Sequence, residues 1–307
     1  VKSGFIAIVG RPNAGKSTLL NRLLGAKVSI VTPKAQTTRE RVLGILTEAR
    51  GQVVFVDTPG IHRAREGGIN EYMVSEAREA VESTAAVWYL VDPKSELEHE
   101  LAVLEILKGC KAPVTILLNK SDLAAQRPAA EALEPRIVAA ARELGIELAP
   151  ARRISAQTGD GVAELLEEAW SHLPEGPMYY PDPEQLSDRP ERFFVAEKIR
   201  EQLYLQLGDE LPYSCAVEIE QFQEEQSRIE ATIHVERESQ KGMVIGKGGL
   251  KIKAIGSGAR QEIEAFLGKG VFLGLRVKVL KDWTKNAEAL RRMGYALPAA
   301  RGKRGRR

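Results

Sequence analysis

Several clusters of residues carry the backbone freedom and side chains needed to hold a nucleoside triphosphate. The string GRPNAGKS at residues 10–17 fits the GxxxxGK[ST] pattern, directly after an apolar run and directly before a helical stretch. Its small residues let the backbone wrap a phosphate. The amides of Asn13, Ala14, Gly15, Lys16, Ser17 and Thr18 can point inward, with Gly10 opening the turn and the helix N-terminus favouring negative charge. Lys16 is placed to bridge the β- and γ-phosphates, and the Ser17 hydroxyl to ligate Mg²⁺. Asp57, Thr58, Pro59 and Gly60 close a second apolar run. An Asp at a strand end can hold Mg²⁺, usually through water, and Gly60 can offer its amide to the γ-phosphate with no Cβ in the way.

The base is addressed by Asn119, Lys120, Ser121 and Asp122, which leave the end of another apolar run. Open α/β sheets place ligands at such strand ends. The Asp122 carboxylate can accept from guanine N1–H and the 2-amino group, whereas adenine would leave a desolvated charge unpaired. Asn119 ties this loop to the phosphate loop and Lys120 packs over the base. Ser155 and Ala156, at the next strand end, can give a backbone amide to guanine O6, although a Ser-Ala pair alone is common. Between the first helix and the second strand, Thr38 is the first choice for a second Mg²⁺ ligand that senses the γ-phosphate, with Thr37 as the alternative. Lys16, Thr38 and Gly60 form the expected catalytic set. Ser17, Thr38 and Asp57 form the expected metal set.

A different chemistry is written near the C-terminus. Gly246, Lys247, Gly248 and Gly249 form a GxxG loop, of the kind that clamps nucleotide backbones while a flanking groove reads bases. Lys241, Lys251, Lys253 and Arg260 surround it, and Ile245 beside it can line the groove; Ile252, Ile255 and Ile263 read mainly as core. Charge supports the assignment. Residues 1–180 carry 21 basic and 23 acidic side chains, residues 181–240 carry 6 and 15, and residues 241–307 carry 17 and 4. A local excess of +13 is a candidate polyanion surface that the whole-chain charge of +2 conceals.

The elements that must position these groups alternate strand and helix. Strands are expected at 5–9, 41–46, 53–56, 86–91 and 114–118, with a last short one ending at 154–155. Helices are expected at 16–24, 69–83, 97–107, 130–144 and 162–173. Such alternation argues a sheet covered by helices on both faces. Prolines and glycines concentrated after Leu173, and again at Pro190, mark a stiff linker. Beyond it the order is helix (191–207), two strands (214–222 and 227–237), a polar stretch, the GxxG loop, a helix, a strand (271–280) and a last helix. The expected division is 1–175, a linker at 176–190, a second domain at 191–300 and a basic tail at 301–307. Two distant cysteines and four scattered histidines give no support to a disulfide scaffold or a zinc site. The longest strongly apolar run, 85–91, is far short of the roughly 20 residues of a membrane span. The chain opens directly into a strand-like segment, so no signal peptide is expected, and a reducing intracellular compartment fits best.

Together GRPNAGKS, QTTR at 36–39, DTPG at 57–60, NKSD at 119–122, SA at 155–156 and QKGMVIGKGG at 240–249 resemble the Era family, bacterial GTPases with a C-terminal type II KH domain. The resemblance covers residues 3–295. It implies an α/β P-loop GTPase domain followed by an α+β type II KH domain, with GTP or GDP and Mg²⁺ as cofactors. It also implies binding near the 3′ end of 16S ribosomal RNA and a role in 30S subunit assembly. Residence in the cytoplasm follows, with peripheral contact at the membrane surface in some members; no stable protein partner is inferred. Where a Ras-like GTPase has its water-positioning Gln, this chain has Ile61, which cannot hydrogen-bond water. The family is similar to a group with that substitution in which the residue at Asn13 helps hold K⁺, in place of an arginine finger. Slow intrinsic turnover is then expected. The competing readings are an RNA-binding assembly factor whose nucleotide site only stabilises the fold, an ATPase, which Asp122 disfavours, and a tRNA-modification GTPase, which the GxxG loop disfavours.

Overall fold

The computed structural model describes residues 1–34, 36–62, 67–208 and 210–295; the basic tail at 301–307 lies outside the described residues. The first part runs β1 (Lys2–Gly10), α1 (Lys16–Leu24), β2 (Val42–Glu48), β3 (Gly51–Asp57), α2 (Gly68–Glu82), β4 (Ala86–Val91), α3 (Leu97–Leu107), β5 (Val114–Leu118), α4 (Arg127–Glu143), β6 (Leu148–Arg153) and α5 (Val162–His172). The strands form one sheet in the order β2-β3-β1-β4-β5-β6, parallel except for β2.

Side-chain alternation explains the layers. Ala7, Val9, Val87, Tyr89 and Val91 face α2, α3 and α4, while Ile6, Ile8, Ala86, Trp88 and Leu90 face α1 and α5. Every residue of β4 and β5 is buried, as central strands covered on both faces require. Fully buried anchors such as Leu19 and Leu104 each contribute roughly 1.5–3 kcal/mol relative to exposure. The fourth helix starts at Arg127, earlier than the periodicity implies, because Pro128 suits a first turn that has no use for its missing N–H.

The second part runs α6 (Glu191–Gln206), β7 (Ala216–Gln223), β8 (Arg228–Val235), α7 (Glu238–Ile245), α8 (Leu250–Leu267), β9 (Phe272–Val279) and α9 (Ala287–Arg292). Its sheet has the order β7-β8-β9, with β7 antiparallel and β9 parallel to β8. Val195, Ile199 and Leu203 of α6 pack with Ile255, Ala259 and Ile263 of α8 on Ile229, Ala231 and Ile233 of β8. The polar stretch before the GxxG loop, to which the residue pattern assigns no element, is the helix α7. The Gln240 side chain accepts from the amides of Glu236 (2.9 Å) and Arg237 (3.1 Å), and fully buried Val244 docks it.

The two parts touch through the loop before β2 and through α2. Tyr72 of α2 packs with Trp283, Leu290 and Tyr295, and the Ile69 amide donates to the Thr284 carbonyl at 2.9 Å. Arg39 is buried and has no carboxylate partner among the described residues. Its guanidinium donates to the carbonyls of Cys215 (2.7 Å), Tyr213 (3.0 Å) and Pro212 (3.2 Å) and lies over the Trp283 ring.

Candidate active site and nucleic-acid interface

The loops at the carboxyl ends of β1, β3, β5 and β6 surround a cleft of about 550 Å³. Asn13, Gly15, Lys16, Ser17, Thr18, Thr38, Gly60, Asn119, Lys120, Asp122 and Ala156 line it, whereas Gly10, Ala14, Asp57 and Ser155 lie behind its wall and hold the lining in place. Lys16 is nearly buried and donates to the carbonyls of Arg11 (2.8 Å) and Gly10 (3.2 Å). Burial lowers its pKa to about 8, although Asp57 and Glu100 pull the other way.

Four side-chain oxygens gather close to Lys16. Ser17 Oγ donates to Asp57 Oδ2 at 2.7 Å and lies 3.1 Å from Thr38 Oγ1. Ser29 Oγ also donates to Asp57 Oδ2, at 2.9 Å. Asp57 is fully buried and its Oδ1 has no hydrogen-bond partner among the described residues. Desolvation raises its carboxyl pKa, partly opposed by Lys16. An orphaned carboxylate oxygen beside two hydroxyls is a hard-oxygen donor set, and it fits Mg²⁺. Thr37 also borders the cleft, but Thr38 is the residue that meets Ser17.

Asn119 is the hub of the base end. Its Nδ2 donates to the Ala14 carbonyl at 2.7 Å and its Oδ1 accepts from the Ala156 amide at 2.9 Å. The expected tie to the phosphate loop is therefore present, but the Ala156 amide is itself engaged. Ser155 Oγ donates to Asp122 Oδ1 at 2.6 Å, which orients that carboxylate. Lys120 is paired with Asp92 at 2.6 Å. Asp92, at the end of β4, was legible by the same strand-end logic as Asp57. Ser29 had no sequence signal, since it sits in a loop without a motif.

Ile61 is buried against the core, and only its backbone serves the site: its amide donates to the Gly10 carbonyl (3.0 Å) and its carbonyl accepts from Arg11 (3.2 Å). Gly60 packs so tightly that a Cβ there would come within 2.7 Å of the Pro12 backbone. Asn13, in a left-handed conformation, donates to the Pro33 carbonyl at 3.4 Å.

In the second part of the chain the GxxG loop is exposed. Gly248 has φ 59° and a Cβ there would meet nothing within 4 Å, so its backbone is open to approach. Lys247 and Arg260 are exposed and Ile245 is half-buried, while Lys241 borders the loop from α7. Lys251 is held by the Gln206 carbonyl at 3.2 Å. A groove of about 580 Å³ runs between α8 and β9, walled by Ile252, Lys253, Gly256, Arg260, Phe272 and Leu275. Ile255 and Ile263 are core, as expected; Ile252 instead faces this groove, and exposed Phe272 extends it.

Among the described residues no helix is long and apolar enough to cross a membrane, and no cluster of His, Cys, Asp and Glu could hold a metal ion by itself. Residues 5–120 match the model of the 50S ribosome-binding GTPase family, and residues 210–284 match the KH domain. The chain is 47% identical over 298 residues to GTPase Era of Geobacter sp. (strain M21), covering 96% of this chain and 98% of that protein. It is 43% identical over 299 residues to GTPase Era of Staphylococcus haemolyticus (strain JCSC1435), covering 96% and 97%. Two solved structures, each 37% identical and covering 97% of this chain and all of theirs, superpose closely. One is Aquifex aeolicus Era bound to GDP.AlF4-, with a TM-score of 0.89; the other is Era in complex with MgGDPNP and nucleotides 1506-1542 of 16S ribosomal RNA, with a TM-score of 0.87. A phosphate loop, an NKSD strand end and a GxxG loop on one chain, aligned from end to end with such relatives, make this protein a member of the GTPase Era family.

Proposed function

We propose that the chain is a GTP-driven switch that binds the 3′ region of 16S ribosomal RNA and assists assembly of the 30S subunit. The carrying observation is that Thr38 and Arg39 are neighbours in sequence but engage different parts of the chain. Thr38 meets Ser17 at the metal-ligand corner, and Arg39 is anchored on the carbonyls of Pro212, Tyr213 and Cys215 of the second part. Repositioning Thr38 on a γ-phosphate-dependent ion must therefore pull on the contact to the RNA-binding half.

In this reading Lys16 moves from its carbonyl cage to the β- and γ-phosphates, and Ser17, Thr38 and Asp57 hold Mg²⁺. The ion supplies neutralisation of charge between the two phosphates. The Gly60 amide binds the γ-phosphate, and the Asn13 side-chain oxygen takes K⁺. Asp122, oriented by Ser155, reads N1–H and the 2-amino group, and Lys120, steadied by Asp92, covers the base. The functional division is 1–175, 176–190 and 191–300. Lys241, Ile245, Gly246, Lys247, Gly248, Gly249, Lys251 and Arg260 contact RNA, with phosphate contacts positioning and the groove beside α8 reading bases. We assign the protein to the cytoplasm, with peripheral contact at the membrane surface.

Fluorescence anisotropy with a labelled 16S 3′-end oligonucleotide and a scrambled strand tests this reading. Binding should be tighter for the matched strand and should differ between GDP and a non-hydrolysable GTP analogue. Equal affinity in both nucleotide states would sink the switch, and equal affinity for both strands would remove the ribosomal target.

A further inference from the structure

The base end of the cleft is fastened from behind by a residue outside every motif. Arg22 lies on α1, beyond the phosphate loop. Its Nε donates to the Ala156 carbonyl at 3.3 Å, and its Nη2 donates to the Gln157 carbonyl. On the other side of that loop the Ala156 amide is committed to Asn119 Oδ1 at 2.9 Å and the Thr158 amide to Ser155 Oγ at 3.0 Å. Among the described residues no acceptor takes the Gln157 amide between them.

A trans peptide points its C=O and the following N–H in opposite directions. Holding the Ala156 carbonyl on Arg22 therefore turns the Gln157 N–H away from α1, toward the cleft whose wall includes Ala156 and Gln157. We propose that Arg22 is a positioning residue for base recognition: it fixes the 156–157 peptide so that the Gln157 amide, not that of Ala156, donates to guanine O6. The proposal rests on the guanine reading of Asp122 and completes it. Asp122 accepts from the donor edge of the base, and the Gln157 amide donates to its acceptor. The 6-amino group of adenine would set donor against donor at that point. The fork of the guanidinium suits two successive carbonyls, which a lysine ammonium cannot span equally well.

The test uses calorimetry on the full chain with GDP, 6-thio-GDP and ADP. The thio analogue keeps N1–H and the 2-amino group but replaces O6 by a weaker acceptor. Arg22→Ala should weaken GDP binding about tenfold, the scale of one hydrogen bond, and change 6-thio-GDP binding far less. Arg22→Lys should fall between, with the same thermal midpoint by circular dichroism. Equal weakening of GDP and 6-thio-GDP would make Arg22 a general support for the loop and overturn the proposal, as would no change in either. An unaltered protein that binds ADP as tightly as GDP would instead overturn the guanine reading itself, whatever Arg22 does.

Discussion

In the proposed function the nucleotide cleft and the GxxG groove bind the same chemical group, a phosphodiester or phosphoanhydride oxygen, by opposite constructions. In the cleft Lys16, Asp57, Asn119 and Ser155 are nearly or fully buried, and each is held by partners from another element. Lys253 and Arg260 of the groove and Lys247 of the loop beside it are exposed, and the loop backbone at Gly248 and Gly249 lies open. Buried groups gain strength from a low local dielectric but tie binding to the fold; exposed charges act singly and are screened by salt. Substitutions in the first region should therefore report on specificity and folding together. Those in the second should change affinity and leave the fold alone.

The largest expected effect is at Asp122. Asp122→Asn should lower guanine-nucleotide affinity by about 10³-fold or more, the scale on which a site built around polar pairing rejects a mismatch. It should also favour xanthine nucleotides, whose 2-oxo group accepts from the new amide; calorimetry with GDP and XDP measures both. Next comes Ile61. Its side chain is 2% exposed and packs with Val9 and Tyr89, so Ile61→Ala should cost about 2–5 kcal/mol of stability. Turnover per folded molecule should stay near its original value, since that side chain holds no water. A hydrolysis rate that collapses with the fold intact would break the assignment.

A smaller effect is expected in the groove. Changing Lys247 and Gly248 together to Asp should weaken RNA binding by about 30-fold at moderate salt and reduce the steepness of the salt dependence. GTP hydrolysis without RNA should be unchanged, and a parallel loss of both activities would erase the contrast between the regions. The smallest is Glu220, an exposed carboxylate that Lys278 and Thr232 hold at a pKa of about 2. A depressed folded value contributes stability that is present above the usual carboxylate range and is lost as pH falls toward 2. Glu220→Gln should lower the thermal midpoint slightly at pH 7, flatten its dependence on pH between about 4.5 and 2, and converge with the unaltered protein near pH 2.

What could be read from the residues alone follows the same contrast. GRPNAGKS, DTPG and NKSD are legible because their chemistry needs fixed residue types at strand ends, and the strands announce themselves as apolar runs. Ser29 and Arg22 escape such reading because each acts through a partner distant in sequence, and only the fold makes them adjacent. The helix α7 escapes because Gly242 and a run of polar residues hide one buried side chain, Val244, and a glutamine cap. Ile252 reads as core because helical spacing groups it with Ile255, yet three residues fall about 60° short of a turn on α8, enough for it to face the groove.

The anchor of Arg39 has a chemical neighbour. Cys215 lends it a carbonyl, and its own thiol is fully buried, donates to the Leu211 carbonyl at 3.3 Å and is pushed by burial to a pKa of about 12. A thiol so held does not form thiolate at neutral pH and is out of reach of alkylating reagents. Its labelling should therefore report openings of the 211–215 segment on which Arg39 is seated. Cys110, half-buried after α3 on the other part of the chain, offers an internal reference in the same sample. The contact between the two halves is thus fitted with a built-in clock, in which the labelling rate of one native cysteine counts how often the arginine lets go.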